Sequence, residues 1–561
     1  MTKHKSHSRT RAQESTGAIQ RLFVTMRHLF NRGFYKPMGV SGETLRESLL
    51  ILSPEIYGSI AQEKVELNGL LYVIDRLPEG IEECRYINLT SDEGYSDTHF
   101  TPIIPPKRRR NCYRIDAEQM NIEITRGRSE IYDILTHLTF LFIESHKIMK
   151  QVLINDKGDV NRDWLKLEAA SLQKKNLTKD EREVALTHTA NILGRTFKEV
   201  SGVYDKFSSA EKPERFLDII YWLGKLALDE ILHENKRTVT FSSVLRETLG
   251  QHIHGERWAD NIKATLHKQG LLNRPIHIIS ANMHSVQNTL YAPEVLKAKL
   301  KGKSKLQIFE ELSAHSRYRD SVIQVATKEG MTFLNDTSGS NIDVQIFDTA
   351  KYTTGAYADK IKHLDAANKP VIVVMDYAFG EQAYETMDEL LKPYKPDEDT
   401  AMYLQVASIS IMGKAGILTG GKGDIMIPTS HIFEGSADNY PFENGLQVAD
   451  LEGHQIGVYG GAMISVLGTS LQNKDLLRYF NRSTWGVIGL EMEGAHYQKA
   501  IQAASKIRKS ISPDVRVNYA YYASDNPLET GSTLASGGLG TTGVKPTYLI
   551  TEIILKQIFS S

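Results

Sequence analysis

Two acidic motifs near the C-terminal end contain the residues of this chain best suited to chemistry. In the first, residues 489–495, Glu491 and Glu493 stand two positions apart where an apolar run gives way to a helical pattern. Because side chains two positions apart in an extended backbone point to the same side, the spacing predicts that both carboxylates face one way. One of them could accept hydrogen bonds from the hydroxyls of a vicinal diol.

The second motif, residues 524–528, follows a β-rich run over residues 515–522 and contains Asp525. Ligands of open α/β sheets gather beyond the carboxyl ends of the strands, so this acid is expected at a ligand site. A carboxyl that keeps its proton near neutral pH in a partly desolvated pocket can act as a general acid. The structural alternative is a helix N-cap, because Ser-Asp-x-Pro is also good capping sequence.

These motifs resemble those of the nucleoside phosphorylase and nucleosidase superfamily. In that family a Glu-Met-Glu motif binds ribose hydroxyls and a Ser-Asp motif supplies the acid that protonates the purine; Glu493 and Asp525 match those positions. The resemblance implies that Met492 packs on the sugar, and it assigns Ser524 and Asn526 to the substrate site. The Ser-Asp-x-Pro-Leu form is most similar to the AMP nucleosidase branch. The structural alternative for Glu493 is an acid in the first turn of a helix, stabilised by the helix dipole.

A glycine-containing segment at residues 411–418, followed by a Gly-Asp pair, is similar to the family's glycine turn. Gly413 and Gly416 would allow a ligand to approach the backbone closely. Lys414 between them could meet a phosphate or carboxylate group, although most family members lack lysine there. A tight turn after a strand needs glycine in any case.

Residues 371–383 have the pattern of a buried strand, a glycine turn and a helix start, as expected for the first strand of that fold. Glu381 lies near the position of the glutamate that activates water in some nucleosidases, and a plain helix-start glutamate is the alternative. Phosphorylases instead surround their phosphate with arginines, and residues 376–383 contain none. This absence favours hydrolysis over phosphorolysis.

The composition argues against several classes of function. The chain has 561 residues, 67 basic and 68 acidic side chains and a formal net charge of -1, so it lacks the overall positive field that holds nucleic acid or an anionic membrane. No apolar run approaches the ~20 residues that cross a bilayer. The two cysteines, Cys84 and Cys112, argue against a disulfide scaffold and against structural zinc, and a reducing cytoplasm is the expected compartment.

The length predicts at least two domains. Residues 1–14 are basic and are expected to form a disordered tail. Residues 15–270 are predicted to form a mainly α-helical N-terminal domain, with core helices over residues 131–143 and 216–228. Residues 271–561 alternate β-rich and helical runs, which predicts an α/β domain with a mostly parallel, mixed sheet flanked by helices, as in nucleoside phosphorylases.

Three further polar features have competing interpretations. The four cations at residues 107–110 are typical of solvated surface, with an anion-binding edge as the alternative. A role for Arg126 or Arg128 is suggested by a weak resemblance to the N-terminal region of AMP nucleosidases. His431 and Glu434 stand three positions apart, but no second histidine completes a ligand pattern, so no metal is expected.

Together with the resemblance, these features predict a cytoplasmic enzyme that hydrolyses the N-glycosidic bond of a purine nucleoside or nucleotide such as AMP. The expected ligand is a small purine compound, no cofactor is implied, and the family suggests a homo-oligomer. Two alternatives stay open: a phosphate-dependent purine nucleoside phosphorylase, and a nucleotide-sensing protein that keeps the pocket without turnover. The sequence does not specify the base, the need for a 5′-phosphate or the role of the helical domain.

Overall fold

The computed structural model describes residues 10–173, 177–209, 211–436, 438–529 and 539–560. Within them the chain forms two compact units, of which the first extends to Gly250 and takes in Ser470–Leu476 from the C-terminal half. The second unit comprises Gln251–Thr469 and continues from Leu477. The domain limit expected at residue 270 falls inside the second unit, because residues 253–268 bury apolar side chains in that unit's core.

The first unit combines helices with a small sheet. Its helices, within the described residues, are α1 (Arg11–Arg32), α2 (Val40–Leu52), α3 (Leu67–Ile74), α4 (Arg128–Val152), α5 (Arg162–Leu172), α6 (Lys179–Leu193), α7 (Phe197–Phe207), α8 (Arg215–Leu232) and α9 (Ser243–Thr248). Its strands are β1 (Phe34–Tyr35), β2 (Tyr86–Thr90), β3 (Cys112–Arg114), β4 (Gln119–Glu123) and β5 (Thr238–Phe241), in the order β1-β5-β2-β4-β3. This sheet is not predicted from the sequence, because its strands are too short to show a clear period of two.

Apolar periodicity located the main helices of this unit. The segments 131–143 and 216–228 lie inside α4 and α8, as predicted, and these helices pack against each other. Their facing side chains are almost completely buried, with Leu138 and Phe216 both at 0% exposure. Burial of such an apolar stripe is what normally stabilises a helix in a folded protein.

The N-terminal helix begins earlier than the sequence suggested. Thr10 forms a capping box in which its hydroxyl oxygen accepts from Gln13 N at 3.3 Å and its own N–H donates to Gln13 Oε1 at 2.9 Å. This reciprocal pair satisfies backbone donors that the first turn leaves open, so α1 starts at Arg11. Residues 11–14 are therefore helical and not part of a disordered tail, while residues 1–9 lie outside the described residues.

The run of four cations at residues 107–110 is not simply solvated surface. Arg108 Nη2 lies 2.6 Å from Asp133 Oδ1, and Arg110 bridges Asp133 at 2.8 Å and Glu130 at 3.2 Å. The Arg110 side chain is only 1% exposed. Because a buried guanidinium must be paired, the two carboxylates of α4 account for the burial of these arginines. Arg126 is engaged in the same way, 2.8 Å from Glu130.

The second unit contains a large sheet with helices on both faces. Its helices, within the described residues, are α10 (Ile253–Lys268), α11 (Ser285–Val295), α12 (Lys305–Ala314), α13 (Ser316–Lys328), α14 (Ala358–Lys362), α15 (Gln382–Leu390), α16 (Lys474–Arg482), α17 (Gly494–Gln502) and α18 (Val544–Ile558). Its strands are β6 (Ile276–Ser280), β7 (Met331–Leu334), β8 (Val344–Asp348), β9 (Val371–Met375), β10 (Val406–Ile417), β11 (Ile425–Phe433), β12 (Asn439–Pro441), β13 (Val458–Ser465), β14 (Val487–Glu491) and β15 (Arg516–Asp525). The first residues of α16 belong to the segment taken in by the first unit.

The ten-stranded sheet is mixed, and parallel pairing covers more of its length than antiparallel pairing. Its path runs β12-β11-β13-β14-β10-β6-β9-β8-β7, and β15 pairs with both β10 and β11. Among the described residues, five strand pairs are parallel and five are antiparallel. The antiparallel pairs include successive strands such as β7 and β8, which need no helical crossover, and this part of the topology is not visible in the alternation of elements.

Each face of this sheet has its own apolar core. Along β9, Val371, Val373 and Met375 face a cluster that includes α10, α15 and α17. Ile372 and Val374 face the opposite cluster, which includes α11, α12, α13 and α18. The α/β class with a helix-flanked sheet is thus confirmed for this unit, because a strand buried on both faces reads as a continuous apolar run. In the described residues, no helix combines the length and apolar character needed to span a bilayer.

Candidate functional site

The two acidic motifs meet on either side of one glycine in β10. Gly416 is in register with Leu490 of β14 on one side and with Asp525 of β15 on the other. Since neighbouring strands lie about 4.8 Å apart, two strand steps separate these partners by roughly 10 Å. The ends of β14 and β15 therefore place the Glu-Met-Glu motif and Asp525 at opposite edges of one strand, within the span of a small ligand.

Glu493 contacts the loop that follows β9. Its Oε1 accepts a hydrogen bond from Gly380 N at 3.0 Å, and Gly380 adopts a φ of 56°, in the left-handed region that favours glycine. Burial, reinforced by the negative charge of Glu491, raises the pKa of Glu493 to about 8. This carboxyl is therefore mostly protonated at neutral pH.

Glu491 does not share the orientation of Glu493, contrary to the prediction from their spacing. Glu491 ends β14 and is 4% exposed, and its Oε2 accepts hydrogen bonds from Gly494 N and, at 2.6 Å, from Glu493 N. The strand ends at this residue, so the alternation of side chains does not continue to Glu493. Glu491 instead fixes the N-terminus of α17, and burial raises its pKa to about 7.

Ser465 at the end of β13 holds this arrangement together. Its hydroxyl donates to Glu491 Oε1 and accepts from Ala495 N at 2.9 Å. One hydroxyl thereby joins a strand end, a buried carboxyl and the first turn of α17. No role for Ser465 is predicted from the sequence, because nothing in the local pattern distinguishes it from other strand serines.

Ser524 stands beside Asp525 at the end of β15. Ser524 Oγ donates to Asp525 Oδ1 and also lies 3.1 Å from the carbonyl oxygen of Ala415 in β10. A serine hydroxyl has one proton, so it serves these two acceptors one at a time. Asp525 ends the strand and the chain continues into a turn at residues 526–529, so the described residues do not form the helix that the capping alternative required.

The side-chain amide of Asn526 both donates and accepts a hydrogen bond within the protein. Its Nδ2 donates to the carbonyl oxygen of Gly420 at 2.8 Å, and its Oδ1 accepts from Leu528 N at 2.9 Å. These bonds fasten the end of β15 to the loop between β10 and β11. These contacts give Asn526 a positioning role, and its contact with a substrate stays a prediction, because the amide keeps a second donor and a second acceptor site.

The glycine segment forms strand and not turn. Gly413, Lys414 and Gly416 all lie inside β10, and the turn follows at residues 419–424. There the carboxylate of Asp424 accepts from Gly421 N at 2.8 Å and from Gly457 N at 3.0 Å. A short sequence pattern of this kind does not mark where pairing stops. Here β15 pairs with β10 from Gly413 to Gly416, and β14 pairs with it at Gly416 and Ile417.

Gly413 makes room for an aromatic side chain that the sequence analysis did not single out. A Cβ at Gly413 would lie 3.4 Å from Cε1 of Tyr377, so this ring packs directly on the strand. The hydroxyls of Tyr377 and Tyr522 are 3.3 Å apart, and burial raises the pKa of Tyr377 well above 10. Lys414 is exposed and, by strand alternation, projects to the face opposite Gly413.

Glu381 and Met492 complete the set of predicted residues. Glu381 occupies the N-cap position of α15, half-buried, immediately after the Gly380 that contacts Glu493. Met492 and Leu528 pack against one apolar cluster, which includes Leu418. That shared cluster is a second link between the two acidic motifs. Both Glu381 and Met492 are thus close in the fold to residues around Glu493.

His431 lies behind the first turn of α17. Its ring stacks on Phe442 at 5.2 Å, and its Nε2 is 3.3 Å from the hydroxyl of Tyr521. Complete burial lowers the pKa of His431 to about 3, so the ring is neutral. A Cβ at Gly494 would lie 2.4 Å from this ring, and therefore α17 can begin here only with glycine. Glu434 is turned elsewhere and accepts from Leu467 N at 3.0 Å.

One group of possible metal ligands occurs in the described residues, formed by His252, Asp388 and Glu389 with ligand atoms within 4.8 Å of one another. Lys392 Nζ lies 2.6 Å from Glu389 and Arg508 Nη1 lies 2.7 Å from Asp388. His252 Nδ1 is 3.1 Å from Glu389, which raises the pKa of this histidine. Two fixed cations already neutralise the carboxylates, so the chemistry of the group is that of an ion-pair network.

The fold and site define the second unit as an α/β domain that brings a carboxyl pair to the ends of strands on either side of a common neighbour. The particular family follows from the sequence. Residues 43–299 and 306–560 match a family of unknown function (DUF6909), and the chain belongs to that family. No curated protein matches the sequence.

The structural neighbours of the chain are nucleosidases and phosphorylases. The 5′-methylthioadenosine/S-adenosyl homocysteine nucleosidase of Campylobacter jejuni matches 51% of this chain and 100% of its own, with 12% identity and a TM-score of 0.31. A futalosine hydrolase mutant of Helicobacter pylori covers 50% and 99%, with 12% identity and a TM-score of 0.29. Uridine phosphorylase of Schistosoma mansoni in complex with thymidine covers 53% and 90%, with 12% identity and a TM-score of 0.31. These likenesses are distant, and the function proposed below is based on the chain's own residues.

Proposed function

We propose that this protein is an N-ribosyl hydrolase that cleaves the N-glycosidic bond of a purine nucleotide or nucleoside. AMP is the proposed substrate, which water would convert to adenine and ribose 5-phosphate. The observation that carries the proposal is the placement of Glu493 and Asp525 near the ends of strands on either side of Gly416. This separation suits a sugar at one carboxyl and a base at the other.

Glu493 is proposed to bind the ribose hydroxyls. Two vicinal hydroxyls donate best to an ionised carboxylate, whereas burial raises the pKa of Glu493 to about 8, so this carboxyl is mostly protonated at neutral pH. Binding a diol would therefore favour loss of the proton from Glu493. The bond from Gly380 N to Oε1 would hold the carboxylate in place while Oε2 faces the sugar. Met492 would pack on the sugar.

Asp525 is proposed to protonate the departing base, with Ser524 as its partner. Ser524 Oγ donates to Asp525 Oδ1 and would hold this carboxyl in place beside the base. Protonation of the leaving base by such a group typically contributes about 10²- to 10⁴-fold to the rate.

The remaining predicted residues receive supporting roles in this proposal. Glu381, next to Gly380, would activate the water that attacks the ribosyl carbon, and Tyr377 over Gly413 would border the ligand. Gly413 and Gly416 leave space along β10, and Lys414 would meet a phosphate group only if the ligand extends around that strand. The first unit would cover, regulate or oligomerise the second in a cytoplasmic homo-oligomer, without a cofactor.

The test is release of free base from a panel of purine nucleosides and nucleotides, followed by chromatography with and without inorganic phosphate. Phosphate-independent release of adenine from AMP supports the proposal, and phosphate-dependent release would instead establish a phosphorylase. The Asp525→Asn variant should lose turnover and keep ligand affinity, while the matched control Asp514→Asn, at an exposed position before β15, should keep both. Binding without turnover in the wild-type protein would identify a sensor and refute the enzyme.

A further inference from the structure

The first unit contains a cavity of about 140 Å³ whose lining is strongly cationic. It is formed where α1, the first turn of α4 and the end of α9 come together, and each contributes one arginine: Arg27, Arg128 and Arg246. The eight lining residues, all in the described part of the chain, include no carboxylate. The formal net charge of the whole chain is -1, so this concentration of positive charge is a local feature.

Two of these guanidinium groups are held against glycine backbone. A Cβ at Gly33 would lie 3.3 Å from Nη1 of Arg246, and a Cβ at Gly250 would lie 3.2 Å from Nη2 of Arg128. Both glycines have φ near 90°, a conformation that other residues rarely adopt. The absence of a side chain at each glycine therefore leaves space for the arginine beside it.

The start of α4 lies at the same cavity, and the carboxylate in its first turn, Glu130, is buried against Arg110 and Arg126. This helix is 25 residues long and begins at Arg128, and its N-cap residue Gly127 provides no side-chain hydrogen bond. The exposed N–H groups of a helix N-terminus and the helix dipole favour negative charge. Ile131 and Tyr132, in the first turns of α4, line the cavity together with Arg128.

We propose that this cavity binds the phosphoryl group of inorganic phosphate or of a small phosphate monoester. Arginine presents a planar fork of donors that matches phosphate oxygens, and three such groups around one cavity suit a dianion. The volume is well below the roughly 300 Å³ of a typical drug-sized pocket, which limits the ligand to a phosphoryl group with a short substituent. Phe30 and Leu249 give that substituent an apolar wall.

The test variant is Arg27→Gln with Arg246→Gln in the full-length chain, because both side chains are exposed and neither begins a helix. Arg21→Gln is the matched control, since Arg21 is exposed on the same helix α1 and does not line the cavity. Inorganic phosphate and glycerol phosphate are the probes, glycerol is the neutral control, and calorimetry measures the affinities. Glu493→Gln is measured alongside, so that binding at the proposed catalytic site is distinguished from binding here.

We expect phosphate or glycerol phosphate to bind the wild-type chain with an affinity that falls as salt increases. The affinity should be at least tenfold lower for the double variant and unchanged for Arg21→Gln and Glu493→Gln. Tighter binding of glycerol phosphate would identify a monoester site, and equal binding a site for free phosphate. The charge-conserving pair Arg27→Lys and Arg246→Lys should also weaken binding, because lysine lacks the fork. No binding to the wild-type chain, or wild-type affinity in both double variants, would overturn the proposal.

Discussion

Replacing Glu493 by glutamine should flatten the pH dependence of stability of the second unit. Burial raises the pKa of Glu493 to about 8 and that of Glu491 to about 7, from the model-compound value of 4.5 that applies when the chain is unfolded. Between pH 4.5 and 7 the folded protein therefore binds more protons at these two sites than the unfolded chain. Their contribution to stability is fully present below pH 4.5 and is lost as pH rises through the folded values.

The expected magnitude follows from the number of protons. Each carboxyl that is protonated when folded and ionised when unfolded lowers the free energy of unfolding by about 1.4 kcal/mol per pH unit. Near pH 6, Glu491 and Glu493 together should thus contribute up to about 2.7 kcal/mol per pH unit to the slope of the wild-type free energy of unfolding against pH. Glutamine resembles the protonated acid but does not titrate, so Glu493→Gln should remove about half of this slope.

The assay is denaturant unfolding of wild type and variant at a series of pH values from about 5 to about 7. Glu452→Gln is the matched control, because Glu452 is an exposed glutamate of the same unit and should leave the slope unchanged. The variant should also be more stable than wild type at the alkaline end of the series, because there the unfolded wild-type chain gains free energy by ionising a carboxyl that burial keeps mostly protonated in the folded state. Equal slopes for Glu493→Gln and wild type would refute the assignment of a raised pKa to Glu493.

Three further variants test separate parts of the site. Asp525→Asn should lower the rate of base release by at least about 100-fold while calorimetric ligand affinity is kept, and an unaltered rate would exclude Asp525 as the acid. Ser465→Ala should destabilise the fold by about 1–3 kcal/mol, measured by denaturant unfolding, because Ala495 N and Glu491 lose their shared partner. Gly494→Ala should cost about 1–3 kcal/mol in the same assay, since the new Cβ would lie 2.4 Å from the His431 ring. Gly202→Ala, a helical glycine with no atom within 4 Å of an added Cβ, should be neutral or slightly stabilising, and an equal loss there would contradict the packing explanation.

The sequence predicted much of the second unit because its elements have strong local patterns. The buried apolar run at residues 371–375 is strand β9, and β15 begins one residue into the β-rich run at residues 515–522. The identification of Glu493 and Asp525 as candidate residues also depended only on short motifs. The structure then placed the two motifs on either side of Gly416, which no local pattern encodes.

The errors have a common physical origin. Side-chain spacing predicted one orientation for Glu491 and Glu493, but β14 ends between them and Glu491 binds the N-terminus of α17. The glycines of β10 were assigned to a turn, yet neighbouring strands extend the ladder through them. The burial of Arg110 depends on carboxylates of α4, about twenty residues away.

The sequence by itself thus determined the main helices of the first unit, the buried strands of the second and which acids are available, because those properties depend on neighbours within a few positions. Only the tertiary structure decided what each acid does. Gly380 and Glu493 are 113 residues apart and Gly420 and Asn526 are 106 apart, yet each pair is joined by one hydrogen bond. Such bonds, and the burial that raises the pKa values of Glu491 and Glu493, arise only when distant strands pair and exclude water.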